Sequence, residues 1–346
     1  MDSKYNALFT PWKIGKVEIP NRIVQCSMGG TSLFGWMEPC HLDKEAAYFL
    51  LNRAKDGVGL ILPGMQCIKD AIGGRWLYQN DKMFKDLKVY MEEFHKTGAK
   101  LFVQLAAGMG RSMAITKPMV MLLEHPLLGK LASPVADLDY ITASASATPN
   151  RWYDEVKSRP MTIKEIQDQV EAFAKTSKKL MDAGVDGVEI HAVHEGYLLD
   201  QFTISNMNYR TDEYGGSAEN RARFAAEAVS AVHAAVPGMP IDYKLAVRQE
   251  DPHYGNAGVV ESELGIFVPL LTDAGVTSFH VTLANHSSLE DTIPPAKHPY
   301  FKEQGCFLKF CDEVRQYTDK PITGVGGLNQ PDFVEQQLAS ASPVLP

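Results

Sequence analysis

The chain has 346 residues, of which 45% are hydrophobic and 22% are charged. This composition excludes a disordered chain, and the longest apolar runs fall short of the roughly 18 residues needed to span a bilayer. The formal net charge of −8 argues against nucleic acid or an anionic membrane as the main partner.

The N-terminus and the cysteines indicate a compartment. The first 15 residues lack the basic and apolar regions of a signal peptide. The five cysteines include no C-x-x-C pair and resemble no zinc or iron–sulfur ligand set. We therefore expect a reducing, cytoplasmic environment. We also expect a single domain over residues 1–346.

Short apolar runs alternate with amphipathic stretches along the chain. Residues 8–20 have hairpin character. The predicted strands are 23–28, 57–64, 100–105, 187–191, 241–247, 278–283 and 321–325. The predicted helices are 42–55, 83–97, 163–183, 217–235, 261–274 and 305–317. Strands rich in Val, Ile and Leu that alternate with helices indicate βαβ units and a parallel sheet.

Seven such units favour a (β/α)8 TIM barrel with an N-terminal hairpin cap. No G-x-G-x-x-G follows the first strand, so an open dinucleotide-binding sheet is disfavoured. We expect residues 106–160 to form a long loop on the catalytic face and, with 286–299, to wall a roomy apolar pocket.

An eighth strand is expected after the helix that begins near Asp332, but the sequence reads VEQQLASASPVLP and stops. The sequence therefore predicts a barrel truncated at its C-terminus, with two strand edges unpaired.

The catalytic groups of a TIM barrel lie at the C-terminal ends of its strands. The fourth predicted strand ends in the richest cluster, with His191 and His194 followed by Tyr197. Two imidazoles and a phenol supply hydrogen-bond donors and an acid. A metal site of His191, His194 and Glu195 is an alternative that lacks an evident further ligand. Buried structural side chains are the other alternative.

Several motifs recur in a recognisable order along the chain. They are P-N-R-I-V at 20–24, S-M at 27–28, G-V-G-L-I at 57–61, Q-L at 104–105, G-R at 110–111, V-E-I-H-A-V-H-E-G-Y-L-L-D-Q-F at 188–202, Y-R-T-D-E-Y-G-G-S at 209–217 and E-N-R at 219–221. Together they resemble the Old Yellow Enzyme family of NADH:flavin oxidoreductases, and most of all its 2,4-dienoyl-CoA reductase and bile-acid-inducible steroid enoate reductase branch.

The resemblance implies an FMN ene-reductase on a TIM barrel. NADH or NADPH would reduce the FMN, which then reduces the C=C bond of an α,β-unsaturated carbonyl such as an enone steroid or enoyl-CoA. His191 and His194 would donate hydrogen bonds to the carbonyl oxygen, where charge builds. Tyr197 would deliver the proton.

The resemblance also implies the flavin contacts. Gln104 would bind the flavin ring through its amide, and Lys244, with Arg248 as rival, would place a cation near the ring. The remaining expected contacts are Ser27, Met28, Gly29, Gly64, Gly326 and Gly327. The last two resemble a phosphate-binding turn.

The chain departs from the family pattern at several points. The H-A-V-H-E-G-Y run has one residue more than the usual H-x-x-H-G-Y, and Ser27 replaces a usual proline. The second phosphate element is missing with the eighth strand, as are the cysteines of the larger relatives' ferredoxin-type cluster.

The expected partner is a small unsaturated carbonyl substrate. An electron-transfer module or a second copy of the chain is also left open as a partner.

Two rival interpretations of the sequence stay open. One is a truncated, non-catalytic paralogue with impaired FMN binding. The other is a flavin-free barrel such as an aldolase or metal hydrolase, which would carry a reactive lysine or a bound metal.

Overall fold

The computed structural model describes residues 3–35, 38–70, 73–113, 116–194, 197–248, 259–282 and 302–340. Its strands are β1 Trp12–Ile14, β2 Val17–Ile19, β3 Val24–Gln25, β4 Leu60–Ile61, β5 Gln66–Cys67, β6 Lys100–Ala106, β7 Gly187–Ala192, β8 Ile241–Arg248, β9 Val259–Val260, β10 Ser278–Thr282 and β11 Ile322–Gly324. Its helices are α1 Lys44–Lys55, α2 Asp81–Phe94, α3 Lys117–Glu124, α4 Pro126–Ala132, α5 Leu138–Ile141, α6 Ile163–Asp182, α7 Leu198–Thr203, α8 Ala218–Ala235, α9 Leu264–Ala274, α10 Leu308–Arg315 and α11 Pro331–Ser340.

The main sheet is parallel and follows the order β11-β10-β8-β7-β6-β4-β3. β5 and β9 extend it beside β6 and β8. Every residue of β7 and β10 is buried, as expected for strands covered by helices on one side and a filled barrel on the other. This is a (β/α)8-type barrel of seven strands over the described residues, as the sequence predicted.

Local sequence signals explain the helix boundaries. Thr162 caps α6 in a capping box with Glu165, and Asp43 caps α1 by accepting from two backbone amides. Along α6 the buried residues recur every three or four positions, which is the spacing of one helix face. That face packs against α8.

The predicted hairpin is present, because β1 pairs antiparallel with β2. The first barrel strand was predicted over 23–28, but only β3, two residues long, is paired. β3 bonds to β4 on one side, and among the described residues nothing pairs with its other edge.

The long loop predicted over 106–160 follows β6, as expected, but it contains three short helices that were not predicted: α3, α4 and α5. Pro118 and Pro126 stand in the first turns of α3 and α4, where proline is well tolerated. The other expected pocket wall, 286–299, lies outside the described residues. Within the described part of the chain, we find no helix long and apolar enough to cross a bilayer.

Candidate active site

Polar side chains fill the centre of the barrel on four adjacent strands. The register sets Gln104 beside Glu189 and Glu189 beside Asp242. Two residues further along, His191 lies beside Lys244, which lies beside His280. Because side chains alternate between faces with period two, these residues share the inner face of the sheet. All of them are buried.

We call one group the inner network. It comprises Gln104, Glu189, Asp242 and Ser278, which lie nearer the N-terminal ends of the strands, and His280, which is level with Lys244 but lies against Glu189. Gln104 Nε2 donates to one oxygen of Glu189, and the other oxygen lies 2.7 Å from His280 Nδ1. Ser278 Oγ donates to Asp242 over 2.5 Å.

Burial and the adjacent charge of Glu189 raise the pKa of Asp242 well above its usual value. Asp242 is therefore a proton donor towards Glu189 in the folded protein. The sequence analysis missed this network, although Glu, Asp and His inside apolar strands were a signal that could have revealed it.

Ligand atoms of Glu189, Asp242 and His280 lie within 4.8 Å of one another, so they could in principle hold a metal ion. Each of the three already has a hydrogen-bond partner inside the network. His280 Nε2 is the one ring nitrogen of this group without a partner.

We call the second group the mouth cluster, and it comprises His191, His194, Tyr197 and Lys244. The His191 ring lies 4.1 Å from the Tyr197 ring and 5.6 Å from the His194 ring, measured between centroids. The rings of His194 and Tyr197 are 6.3 Å apart. The structure therefore brings together the three side chains that the sequence analysis singled out.

A sharp turn after β7 brings these rings together. His194 has φ +70°, a left-handed conformation that a non-glycine residue adopts at some cost. Tyr197 stands directly before α7, and the Leu198 amide donates to Gly108 O over 2.8 Å. This bond ties the start of α7 to the segment that follows β6. Glu195 and Gly196 lie outside the described residues.

Electrostatics keeps His191 neutral and Tyr197 protonated. Burial, followed by the electrostatic influence of Lys244 and of the neighbouring His194 and His280, lowers the pKa of His191 well below its usual value. Burial is also the main cause that raises the pKa of Tyr197. At neutral pH the site therefore presents a neutral imidazole and a phenolic O–H.

His191 Nδ1 is buried and has no hydrogen-bond partner, although buried polar atoms are nearly always paired. Lys244 Nζ reaches across the barrel to Ser27 Oγ at 3.3 Å, and no carboxylate forms an ion pair with it within the described ranges. A planar, electron-accepting ring with carbonyl groups would satisfy these donors, so they fit a flavin.

The glycines predicted to contact the flavin fall into two groups. A Cβ on Gly29 would meet no atom within 4 Å, and one on Gly327 would meet only Glu303 O at 3.9 Å, so both border open space. At Gly64 a Cβ would lie 2.5 Å from Met28 O, so Gly64 is needed where two backbone segments touch. Gly326 is similar, since its Cβ would lie 2.9 Å from Phe307 N.

Ser27 and Met28 lie at the same end of the barrel as the mouth cluster, where Ser27 is half-buried and Met28 is 49% exposed. Gln104 lies deeper, in the inner network on β6, and its amide Nε2 already donates to Glu189. Arg248 ends β8, four residues beyond Lys244, and its side chain is not among the described atoms. Lys244 is therefore the cation that the structure places beside His191.

Comparison with known proteins identifies the family. Residues 7–345 match the NADH:flavin oxidoreductase / NADH oxidase family. A bilirubin reductase of Clostridium symbiosum is 37% identical over 337 residues, which cover 96% of this chain and 83% of that protein. A cinnamate reductase of Clostridium sporogenes is 32% identical over 362 residues, which cover 98% of this chain and 50% of that protein.

Solved structures share the fold. A 2-naphthoyl-CoA reductase in complex with 2-naphthoyl-CoA superposes with a TM-score of 0.76 at 23% identity, covering 97% of this chain and 49% of that one. Morphinone reductase superposes with a TM-score of 0.68 at 20% identity, covering 96% of this chain and 82% of that one. The chain thus spans about half the length of the cinnamate and naphthoyl-CoA reductases. The chain belongs to the NADH:flavin oxidoreductase / NADH oxidase family, a family of flavin- and nicotinamide-dependent oxidoreductases with the Old Yellow Enzyme barrel.

Proposed function

We propose that this protein is an FMN-dependent reductase that uses NADH or NADPH to saturate the C=C bond of α,β-unsaturated carbonyl compounds. The observation that carries the proposal is the mouth cluster. There the ring of His191, whose buried Nδ1 has no partner among the described residues, lies 4.1 Å from the ring of the protonated Tyr197 phenol, measured between centroids. When bound, the FMN supplies the hydride for the β-carbon of the substrate.

The histidines stabilise negative charge on the substrate. As the β-carbon accepts hydride, charge moves to the carbonyl oxygen. His191 and His194 hold N–H donors in place for that oxygen before the charge develops, which is why such sites accelerate reactions strongly. His191 is neutral over the physiological range, so its N–H donates a hydrogen bond without giving up a proton.

Tyr197 supplies the proton to the α-carbon. Its raised pKa keeps the phenol protonated until the enolate forms beside it, and an enolate is basic enough to remove that proton. Lys244 holds a buried positive charge beside His191. This charge would favour the anionic reduced form of a flavin held above it.

The relatives support the same chemistry. The cinnamate reductase is named for a substrate with a C=C bond conjugated to a carboxyl group, and the bilirubin reductase for a conjugated pigment. Both names are consistent with an electron-poor double bond as the substrate of this chain.

Reconstitution with FMN tests the proposal. Purified protein incubated with FMN and desalted should be yellow, should bleach anaerobically with NADH or NADPH, and should regain its colour when an enone such as 2-cyclohexenone is added. Bleaching by dithionite alone would instead indicate that electrons come from a partner protein. Protein that stays colourless would contradict the proposal and favour a non-catalytic relative.

A further inference from the structure

Lys69 differs from most lysines of this protein in its surroundings. Typical surface lysines such as Lys82 and Lys164 pair with a carboxylate four residues away. Lys69 is half-buried, and its Nζ lies 3.3 Å from the ring centroid of Tyr140 and 5.3 Å from that of Trp76. In the described part of the chain no carboxylate pairs with it. Aromatic faces hold a cation in place but leave its hydrogen-bond donors available.

Two neutral polar groups lie beside Lys69. Oη of Tyr140 and Oε1 of Gln169 are both buried and have no partner in good hydrogen-bond geometry among the described residues, and Gln169 is only 2% exposed. Burial, followed by the charge of Glu165, raises the pKa of the Tyr140 phenol, and a hydrogen bond with the Gln169 side chain lowers it in part. Tyr140 therefore keeps its O–H as a donor at neutral pH. The Gln169 amide offers its oxygen in this orientation and its N–H₂ when it is turned over, since the two ends have the same shape.

These three side chains line one cavity, which adjoins the mouth cluster. Its volume is about 50 Å³, several times what one water needs. Leu198 and Cys67 also line the cavity. Leu198 follows Tyr197 directly in the chain, and Cys67 is close enough to influence the pKa of the Tyr197 phenol. The rest of the wall is mainly apolar and includes Met65, Ala107, Met109, Met113, Ile141 and Ala143.

Two acidic residues line the cavity, Glu38 and Asp70, and in the described part of the chain neither forms an ion pair with Lys69. Asp70 accepts from the Cys40 thiol over 2.5 Å, and burial raises the pKa of Asp70. The carboxylates whose charges act on Lys69 are Asp137, Glu165 and Asp168. Each is already engaged, with the Tyr140 amide, Arg159 and Lys164 respectively.

We propose that Lys69, Tyr140 and Gln169 anchor a carboxylate of the substrate, remote from the double bond that is reduced. An ammonium and a phenolic O–H are donors, as is the N–H₂ of Gln169 once its amide is turned over, and a carboxylate offers acceptors without a proton to lose. This inference rests on the proposed function and narrows it to conjugated carbonyl compounds that carry a separate acid group.

The experiment compares an acid with its ester. The probes are 4-(3-oxobut-1-enyl)benzoate and its methyl ester, which have the same enone and differ in charge. For the FMN-loaded wild type we expect a lower KM for the acid. Lys69→Met should raise the KM for the acid about 10-fold or more, with kcat and the ester little changed. Lys69→Arg should retain most of the preference, and Lys82→Met is the matched surface control.

Binding provides a readout that does not need turnover. Calorimetry with the saturated acid, 4-(3-oxobutyl)benzoate, should show that Lys69→Met and Tyr140→Phe each weaken binding while the thermal midpoint changes little. The carboxylate anchor would be overturned if the wild type bound the acid and its methyl ester equally well, or if Lys69→Met weakened the binding of both to the same extent. Either result would count even if enones are reduced. A wild type that binds the acid in preference to the ester but reduces neither would contradict the proposed function alone.

Discussion

The carboxylates of the inner network and the mouth cluster lie two residues apart along β7 and β8, yet they differ in how their polar groups are satisfied. In the inner network Gln104, Glu189 and His280 Nδ1 hydrogen-bond in sequence. Among the described residues, His191 Nδ1 in the mouth cluster has no partner and Lys244 bonds to a serine hydroxyl, and His280 Nε2, level with Lys244, also has no partner. Since an unpaired buried polar group is costly, the difference suggests that the first group stabilises the barrel and the second is completed by a ligand.

The largest expected effect is on proton delivery. Tyr197→Phe removes the acid and leaves the ring in place, so the rate at which an enone reoxidises the reduced protein should fall by about 10²- to 10⁴-fold. Reduction by NAD(P)H should change little. Stopped-flow absorbance measures both steps separately. Tyr214→Phe, whose hydroxyl donates to Glu227 over 2.8 Å elsewhere, is the control. Equal losses in both steps would mean that Tyr197 is structural.

Removing a carboxylate from the inner network should lower the stability of the fold. Glu189→Ala leaves His280 and the proton of Asp242 without their acceptor, and breaking a buried pair of this kind lowers the free energy of unfolding by about 3–5 kcal/mol. Chemical denaturation measures this loss. Glu93→Ala removes an exposed carboxylate paired with Lys96 and should have little effect. If the two variants were equally stable, the inner network would not be structural.

Lys244 tests whether the mouth cluster binds a flavin electrostatically. Lys244→Met removes a positive charge near the reduced ring, so the two-electron potential of bound FMN should fall by on the order of 30–60 mV. Lys244→Arg should restore most of it. Dye-linked potentiometry measures the shift. An unchanged potential in Lys244→Met would place the flavin away from this lysine.

The inner network should also make the stability of the fold depend on pH. The raised pKa of Asp242 means that the folded protein keeps a proton that the unfolded chain releases above about pH 4. The folded state then binds more protons, so stability falls as pH rises in that range. Asp242→Asn keeps a donor towards Glu189 but does not titrate. Between about pH 5 and pH 8 its free energy of unfolding should decline less steeply than that of the wild type. A steeper decline would contradict the assignment.

Sequence periodicity was enough to predict the barrel and to single out His191, His194 and Tyr197 at the end of its fourth predicted strand. Apolar strands and capped helices are local signals, and the catalytic end of a barrel follows from strand direction. The helices of 106–160 were missed because few of their residues are buried: Leu127 and Leu131 are about 80% exposed. They therefore lack a clear core-facing pattern.

Contacts between distant parts of the chain could not be predicted in the same way. The inner network depends on strand register, which sets Glu189 beside Asp242 and Ser278 beside Asp242. The site around Lys69 joins residues from 69, 140 and 169. Only packing of the 106–160 segment against the barrel brings Tyr140 over Lys69. Neither arrangement leaves a spacing signal in the sequence.

A phenolate titration of the FMN-loaded protein tests the central claim most directly, because a phenolate has the shape and charge of an enolate held over a flavin. With 4-hydroxybenzaldehyde the wild type should develop a long-wavelength charge-transfer band. His191→Asn should weaken binding by about 100-fold, the equivalent of one lost oxyanion donor. If His191→Asn bound 4-hydroxybenzaldehyde as tightly as the wild type, or if the wild type showed no charge-transfer band, the account would be contradicted.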